Sequence, residues 1–281
     1  MKKTPERIPY FDNLPEKFNA GDLDAIAAFG RHIHWGYWEN PTKADGSIAD
    51  FGAAAESLSQ RMINLAQIEP GMTILDAGCG FGGTIAILND RCSNLDLVGV
   101  NIDSQQVSRA REEVKGRENN RIQFLCADAC QLPLADNSCD RILAVECIFG
   151  FPSREKFFQQ AHRVLKPGGK MVICDFLPAE TIGSLWRWSE KWLKPLVGRT
   201  YGGFSINFLT LSEYQKLAQA TGFQVGVIDD ITRNTLPTYP VVNRLMMTTG
   251  DSDTYWSTKG LEIVSNLGLL RYVILEFIFL G

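Results

Sequence analysis

Histidine is scarce in this chain: three residues, His32, His34 and His162, among 281. A metal centre has little to draw on, because the pair His32-x-His34 needs further ligands that its segment does not supply. No Cys-x-x-C spacing occurs among the seven cysteines at 79, 92, 126, 130, 139, 147 and 174, which speaks against a zinc or dithiol motif. Most of them sit inside apolar runs, where a free thiol behaves as a small buried hydrophobe, and a reducing cytoplasm fits that usage. Positive charge is not in excess either. Lys plus Arg number 28 against 32 for Asp plus Glu, a formal net charge of −4, so the global field of a nucleic-acid binder is missing. No apolar run reaches the roughly 20 residues that span a bilayer. The most apolar stretch, 267–280, is broken by Arg271 and Glu276 and reads as a buried strand. The opening residues, Met1 to Arg7, carry charges without the apolar core of a secretory signal. Internal repeats and low-complexity tracts are absent as well.

What is present is alternation. Short apolar runs at 72–76, 95–102, 122–126, 141–145 and 170–176 read as strands. Between them, 50–66, a segment from Thr84, 104–115 and 154–165 read as helices, the last with Phe157, Phe158, Ala161 and Val164 on one face. Lys166-Pro167-Gly168-Gly169 stops that helix. Strands of this kind, several apolar on both faces, predict a parallel sheet covered on both sides. Thr210-Leu211-Ser212-Glu213 fits a capping box for a helix that ends at Gly222, and 223–231 with 271–279 can form a final strand pair. Residues 178–209 depart from the rhythm. They carry Trp186, Trp188, Trp192, Tyr201, Phe204 and Phe208 between Gly and Pro breaks, and read as an inserted cap. Residues 236–240 add a further aromatic turn.

The strongest local signal is Asp76-Ala77-Gly78-Cys79-Gly80-Phe81-Gly82-Gly83 at the end of the first strand. Gly78, Gly80 and Gly83 satisfy G-x-G-x-x-G, which alone suggests a dinucleotide site. Two residues argue otherwise. Asp76 stands before the first glycine, where a carboxylate repels a pyrophosphate but suits an ammonium or sulfonium. Asn101 ends the second strand where an NAD enzyme usually offers an acid to the ribose. Both suit S-adenosylmethionine, a zwitterionic amino acid joined to adenosine through a positive sulfur.

Residues 74–82, Ile-Leu-Asp-Ala-Gly-Cys-Gly-Phe-Gly, resemble the first motif of class I S-adenosylmethionine-dependent methyltransferases. Gly99-Val100-Asn101-Ile102, Cys126-Ala127-Asp128-Ala129 and Val164 to Gly169 follow in family order, and the resemblance covers roughly residues 50–232. It implies a Rossmann-like α/β fold, with a seven-stranded mostly parallel sheet, helices on both faces and an aromatic-rich helical cap. Residues 1–49 would form an N-terminal lid on a methyltransferase domain of 50–281. It also implies roles by position. Asp76, Gly78, Cys79 and Gly80 would cradle the methionine end of the cofactor. Asn101 and Ile102, with Gln106, would hold the ribose. Asp128 and Ala129 would meet the adenine. Glu146 and Cys147 would lie at the crevice where both substrates meet.

The reaction so implied is in-line attack on the sulfonium methyl, catalysed mainly by positioning and exclusion of water. A hydroxyl acceptor also needs a base within hydrogen-bond reach. Many small-molecule relatives carry a His where this chain has Gly150, and His162 reads as a surface or packing residue. Residues 32–38, His-Ile-His-Trp-Gly-Tyr-Trp, resemble the lid segment of sterol-, tocopherol- and macrolide-type methyltransferases, which makes His34 the candidate base and Tyr37 a residue closing over the cofactor. The aromatic cap suits a bulky, largely apolar small molecule, and segments 99–103, 146–149 and 234–239 resemble natural-product tailoring O-methyltransferases, the microcystin type among them. C-methylation of a prenyl-quinone or sterol-like acceptor stays open, as does a non-catalytic cofactor-binding protein.

Overall fold

The computed structural model describes residues 21, 23–183, 208–249 and 252–281. Its frame is one sheet of seven strands in the order β3-β2-β1-β4-β5-β7-β6. The strands are β1 (Thr73–Ala77), β2 (Asp96–Asn101), β3 (Arg121–Cys126), β4 (Cys139–Val145), β5 (Leu165–Pro178), β6 (Phe223–Asp230) and β7 (Leu270–Phe279). The first five pair in parallel, and β7 inserts antiparallel between β5 and β6. Within the run 267–280, Leu270–Phe279 is the expected buried strand, with Leu267 and Leu280 exposed at its ends.

Consecutive residues of a strand point to opposite faces, and here both faces are apolar. Ile74 of β1 joins a core with Leu58 and Met62 of α2 (Ile48–Ala66), Ile85 and Leu88 of α3 (Gly83–Arg91), and Val107 of α4 (Ser104–Glu113). Its neighbour Leu75 joins the opposite core, with Phe157, Phe158 and Ala161 of α5 (Arg154–Val164) and Tyr214 of α6 (Leu211–Ala220). Phe157 and Phe158 are wholly buried, each worth roughly 1.5–3 kcal/mol against exposure. A third cluster fastens the N-terminal side. Phe29 of α1 (Leu23–Phe29), Trp38, and Phe51 of α2 pack with Val241 and Val242 of α7 (Thr238–Thr249).

Local signals set the helix ends. Ser47 accepts from the Asp50 N–H, so α2 starts at Ile48, two residues before the first residue of the predicted helix. Thr210 and Glu213 form the reciprocal capping box that their spacing predicts. A buried triad ties α5 and α6 to β5. Arg154 Nη2 lies 2.8 Å from Asp175 Oδ2, Tyr214 O–H donates to the same oxygen at 2.5 Å, and Arg154 Nε donates to Tyr214 at 3.0 Å.

Two expectations change. Residues 236–240 are not an isolated turn, since Thr238 opens α7 and Pro240 is its third residue. Proline is tolerated there because a first-turn N–H has no partner within the helix. A further helix, α8 (Ser252–Asn266), follows. Its Trp256 and Ile263 are 70% and 58% exposed, so apolar spacing does not mark its buried face. Of the cap expected at 178–209, β5 runs through Pro178 and a short turn covers Glu180–Ile182. Residues 184–207 lie outside the described residues, as do residues 1–20 of the expected lid. Among the described residues no helix is long and apolar enough to cross a membrane, and no His, Cys, Asp and Glu gather as a metal site.

Candidate active site

The chain leaves β1 toward β2 and β3 on one side, while β4 and β5 lie on the other. Such a switch point opens a crevice at the carboxyl ends of the strands. In-register pairing places Asp76 beside Gly99, and Asn101 beside Cys126. The ends of β3, β2, β1 and β4 therefore bring Asp128, Asn101, the glycine loop and Glu146 to one edge of the sheet.

The loop is a tight turn. The N–H groups of Gly78 and Cys79 both donate to Val100 O, at 2.7 and 3.0 Å, and Gly82 N–H donates back to Cys79 O at 2.8 Å. Gly78, Gly80 and Gly82 all have positive φ, at 78°, 53° and 82°, which glycine adopts without steric cost. Space adds a second constraint at Gly78: a Cβ there would stand 2.6 Å from Cys147 Cβ. At Gly80 it would meet only Ile33 and Gln106, at 3.7 and 3.9 Å, so the backbone is accessible from above. Cys79 departs from its expected part. Its N–H, like that of Gly78, is occupied by Val100, and its side chain belongs to the core, so it shapes the turn; the backbone that Gly78 can offer a cofactor is its carbonyl.

Asp76 is 1% exposed, and its Oδ2 is buried without a hydrogen-bond partner among the described residues. Burial pushes its carboxyl up to about 7. Burial alone accounts for this rise, so the ionised carboxylate lacks the stabilisation that a nearby cation or donor would give. A ligand bearing a cationic amine fits that need. Next along the edge, Asn101 Nδ2 donates to Gln106 Oε1 at 2.9 Å, while Asn101 Oδ1 accepts from the Asp103 N–H. The pair is braced before any ligand arrives. Ile102 is 49% exposed beside it. Asp128 accepts from the Cys130 N–H at 2.7 Å, starting a short turn with Ala129 buried. Asp128 is thus a turn carboxylate as well as a candidate ligand.

Glu146 follows β4 with a φ of 47°, a left-handed conformation that costs a non-glycine residue on the order of 1 kcal/mol. Trp35 N–H donates to its Oε2 at 2.9 Å, and Tyr272 O–H donates to the same oxygen. Oε1 takes no hydrogen bond among the described residues. Burial, partly offset by these two donors, pushes the carboxyl up to about 8. Neither donor is evident from sequence: Tyr272 is one apolar-looking strand residue, and Trp35 acts through its backbone. Cys147 Sγ donates to Ala77 O at 2.9 Å, and burial holds its thiol well above the usual range. It packs the loop as a protonated thiol.

The N-terminal segment closes over this edge. Tyr37 N–H donates to Ala54 O, Trp38 N–H to Asn234 O and Gly36 N–H to Thr238 Oγ1, at 2.8, 2.9 and 3.1 Å. The Arg61 guanidinium lies 4.8 Å over the Tyr37 ring. Trp35 meets Tyr239 at 4.2 Å between ring centroids and Phe176 at 5.1 Å, with Tyr272 stacked at 6.3 Å. An aromatic wall therefore stands beside Glu146.

His34, the expected base, is placed differently. It is 7% exposed. Nδ1 bonds Trp35 O at 2.9 Å, and Nε2 faces Ser59 Oγ at 3.0 Å and His32 Nδ1 at 3.2 Å. Burial and the neighbouring His32 push it down to about 3. Both nitrogens are engaged inside the protein, so the geometry moves the base assignment away from His34. His162 packs its ring 4.4 Å from Phe279, remote from the site.

Comparison with known proteins identifies the family. The family model "Methyltransferase domain" matches residues 75–173. The chain is 29% identical over 254 residues to methyltransferase GfsG of Streptomyces halstedii, covering 89% of this chain and 87% of that protein. It is 30% identical over 212 residues to the 27-O-demethylrifamycin SV methyltransferase of Amycolatopsis mediterranei, covering 75% and 73%. A solved geranyl diphosphate methyltransferase in complex with S-adenosylmethionine superposes with a TM-score of 0.71 at 17% identity, covering 88% and 98%. The chain belongs to the class I S-adenosylmethionine-dependent methyltransferases. It is an enzyme of that family, with S-adenosylmethionine as its methyl donor.

Proposed function

We propose that this enzyme methylates a hydroxyl of a bulky, largely apolar small molecule in secondary metabolism. The observation that carries this reading is the Glu146 carboxyl, with Oε1 unpartnered, standing beside the wall of Trp35, Phe176, Tyr239 and Tyr272. Apolar ring surface suits such an acceptor better than a phosphate or a charged polymer, and similarity to the 27-O-demethylrifamycin SV methyltransferase supports an oxygen acceptor.

In this reading the methionine end of the cofactor meets Asp76 and the backbone at Gly78 and Gly80, the ribose meets Asn101, Ile102 and Gln106, and the adenine meets Asp128 and Ala129. Tyr37, in the described part of the N-terminal segment, closes over the cofactor. The bound cofactor supplies a methyl on a cationic sulfur, the electrophile. Glu146, held near neutrality by burial, takes the hydroxyl proton at Oε1 while Trp35 and Tyr272 stabilise the carboxylate at Oε2. The aromatic wall orients the acceptor and excludes water.

The test is an acceptor screen with isotopically labelled methyl donor, followed by NMR of the product. A label on an ether oxygen supports the reading. A label on a ring carbon replaces it with C-methylation of a quinone- or sterol-like acceptor.

A further inference from the structure

Two imidazoles meet where the N-terminal segment crosses α2 and the start of α3. His34 Nδ1 lies 2.9 Å from Trp35 O, and His32 Nε2 lies 2.9 Å from Glu56 Oε2. The inward nitrogens, His32 Nδ1 and His34 Nε2, face each other at 3.2 Å. These outer partners fix the hydrogens. A carbonyl oxygen only accepts, so His34 Nδ1 carries one. Glu56 is held ionised, chiefly by the hydrogen bond from His32, so His32 Nε2 carries another. In two neutral rings both inward nitrogens are then bare lone pairs pointing at one another. Ser59 Oγ stands 3.0 Å from His34 Nε2 and 3.4 Å from His32 Nδ1, but a hydroxyl has a single hydrogen to give. One acceptor is left without a donor at a place where the two residues are only 6% and 7% exposed. Such a group is costly to bury unbonded.

We propose that His32 and His34 hold one additional proton between His32 Nδ1 and His34 Nε2, and that this shared proton positions Trp35, gripped at its carbonyl in the peptide to Gly36, so that its N–H in the peptide from His34 meets Glu146. The relay is continuous. Glu56 holds His32, His32 holds His34, His34 holds the Trp35 carbonyl, and the Trp35 amide holds Glu146. His32 and His34 are thus positioning residues.

The charges around the pair favour one proton and oppose two. Glu56 on α2 carries the compensating negative charge, tempered by Arg31 at 3.7 Å from it. On the α3 side Thr84 is neutral. The positive N-terminus of α3 abuts the His32 ring, where a Cβ on Gly83 would be 2.6 Å from the imidazole, and it opposes further charge. Burial and the charge of His32 accordingly keep His34 from taking its own proton until about 3.

The decisive variant is Glu56→Gln. A glutamine amide can donate to His32 Nε2, which turns the His32 hydrogen to Nδ1 and lets it donate to His34. The chain of bonds is then complete with both rings neutral. The experiment is nitrogen-15 NMR of the imidazoles near pH 7, each of the three rings assigned by single His→Gln variants. Three ring N–H hydrogens over the His32–His34 pair are expected in the native protein and two in Glu56→Gln. Two in the native protein would overturn the proposal, whether or not the variant folds. The positioning role, which rests on the reading of the site above, is checked in the same samples by the backbone amide proton of Trp35, the donor to Glu146. Its resonance should shift between the native protein and Glu56→Gln. An unshifted resonance in a folded variant that has lost the third ring hydrogen would overturn the positioning role while leaving the proton count and the cofactor assignment intact.

Discussion

The Trp35 amide nitrogen lies 2.9 Å from Glu146 Oε2, joining the N-terminal segment to the end of β4 across 111 residues of chain. The Trp35 bond therefore opposes the burial that raises this carboxyl. With the amide in place the carboxylate gains a fixed donor; without it, burial acts on Glu146 with less opposition.

Tyr272→Phe removes the other donor and leaves the ring stacked on Trp35. Because the Tyr272 bond lowers a carboxyl that burial has pushed to about 8, its loss moves Glu146 higher still. The rising limb of the pH–rate profile should shift to the alkaline side, with turnover at neutral pH down about tenfold and S-adenosylhomocysteine affinity unchanged. Steady-state kinetics across pH with calorimetry measures both.

Gly78→Ala meets two obstacles, a φ of 78° and Cys147 Cβ at 2.6 Å. Strain of about 1–3 kcal/mol is expected, read as a lower thermal midpoint together with weakened cofactor binding. Gly80→Ala has only the φ penalty and space of 3.7 Å. It should keep more of the stability while still obstructing the cofactor.

The cofactor-free protein should lose stability as pH rises toward neutrality. Asp76 and Glu146 are both raised in the fold, so each contribution is full below the unfolded value and lost as pH climbs through the folded one. The windows are 3.8 to about 7 for Asp76 and 4.5 to about 8 for Glu146. Thermal melts of native protein and Asp76→Asn across that range check it, the variant losing the lower window. Asp76→Asn should also weaken S-adenosylhomocysteine about 10- to 100-fold, the loss of a charged hydrogen bond.

Arg154→Met leaves Asp175 and Tyr214 buried without their cation. Breaking such a pair costs about 3–5 kcal/mol, measurable as a lower denaturant midpoint, while the glycine loop stays untouched.

The fold was legible because burial and periodicity coincide in it. Ile74 and Leu75 face opposite cores and read as one apolar run, and Thr210 with Glu213 caps as spaced. Where burial and apolarity part, the pattern fails. Trp256 and Ile263 lie exposed on α8, and Pro240 sits in the first turn of a helix where the sequence reads as an aromatic turn. At the site, the glycine loop and Asp76 announce themselves because their geometry is local. The partners of Glu146 do not, since a backbone amide at 35 and a hydroxyl at 272 meet only in three dimensions. His34 misleads for the converse reason: its residue type suits a base, but its position beside Trp35, Ser59 and His32 occupies both nitrogens.

In the proposed site the buried Asp76 carboxyl, its Oδ2 unpartnered among the described residues, and the open glycine loop hold the amino-acid end of an S-adenosyl ligand. Calorimetric titration of the purified protein with S-adenosylhomocysteine, with NADH in parallel, is the direct test. Run in buffers of different ionisation enthalpy below pH 7, it should show binding of the former alone, with protons released as Asp76, near 7 when empty, ionises against the ligand amine. Binding of NADH, or of S-adenosylhomocysteine without proton release and undiminished in Asp76→Asn, would rule out that role for Asp76.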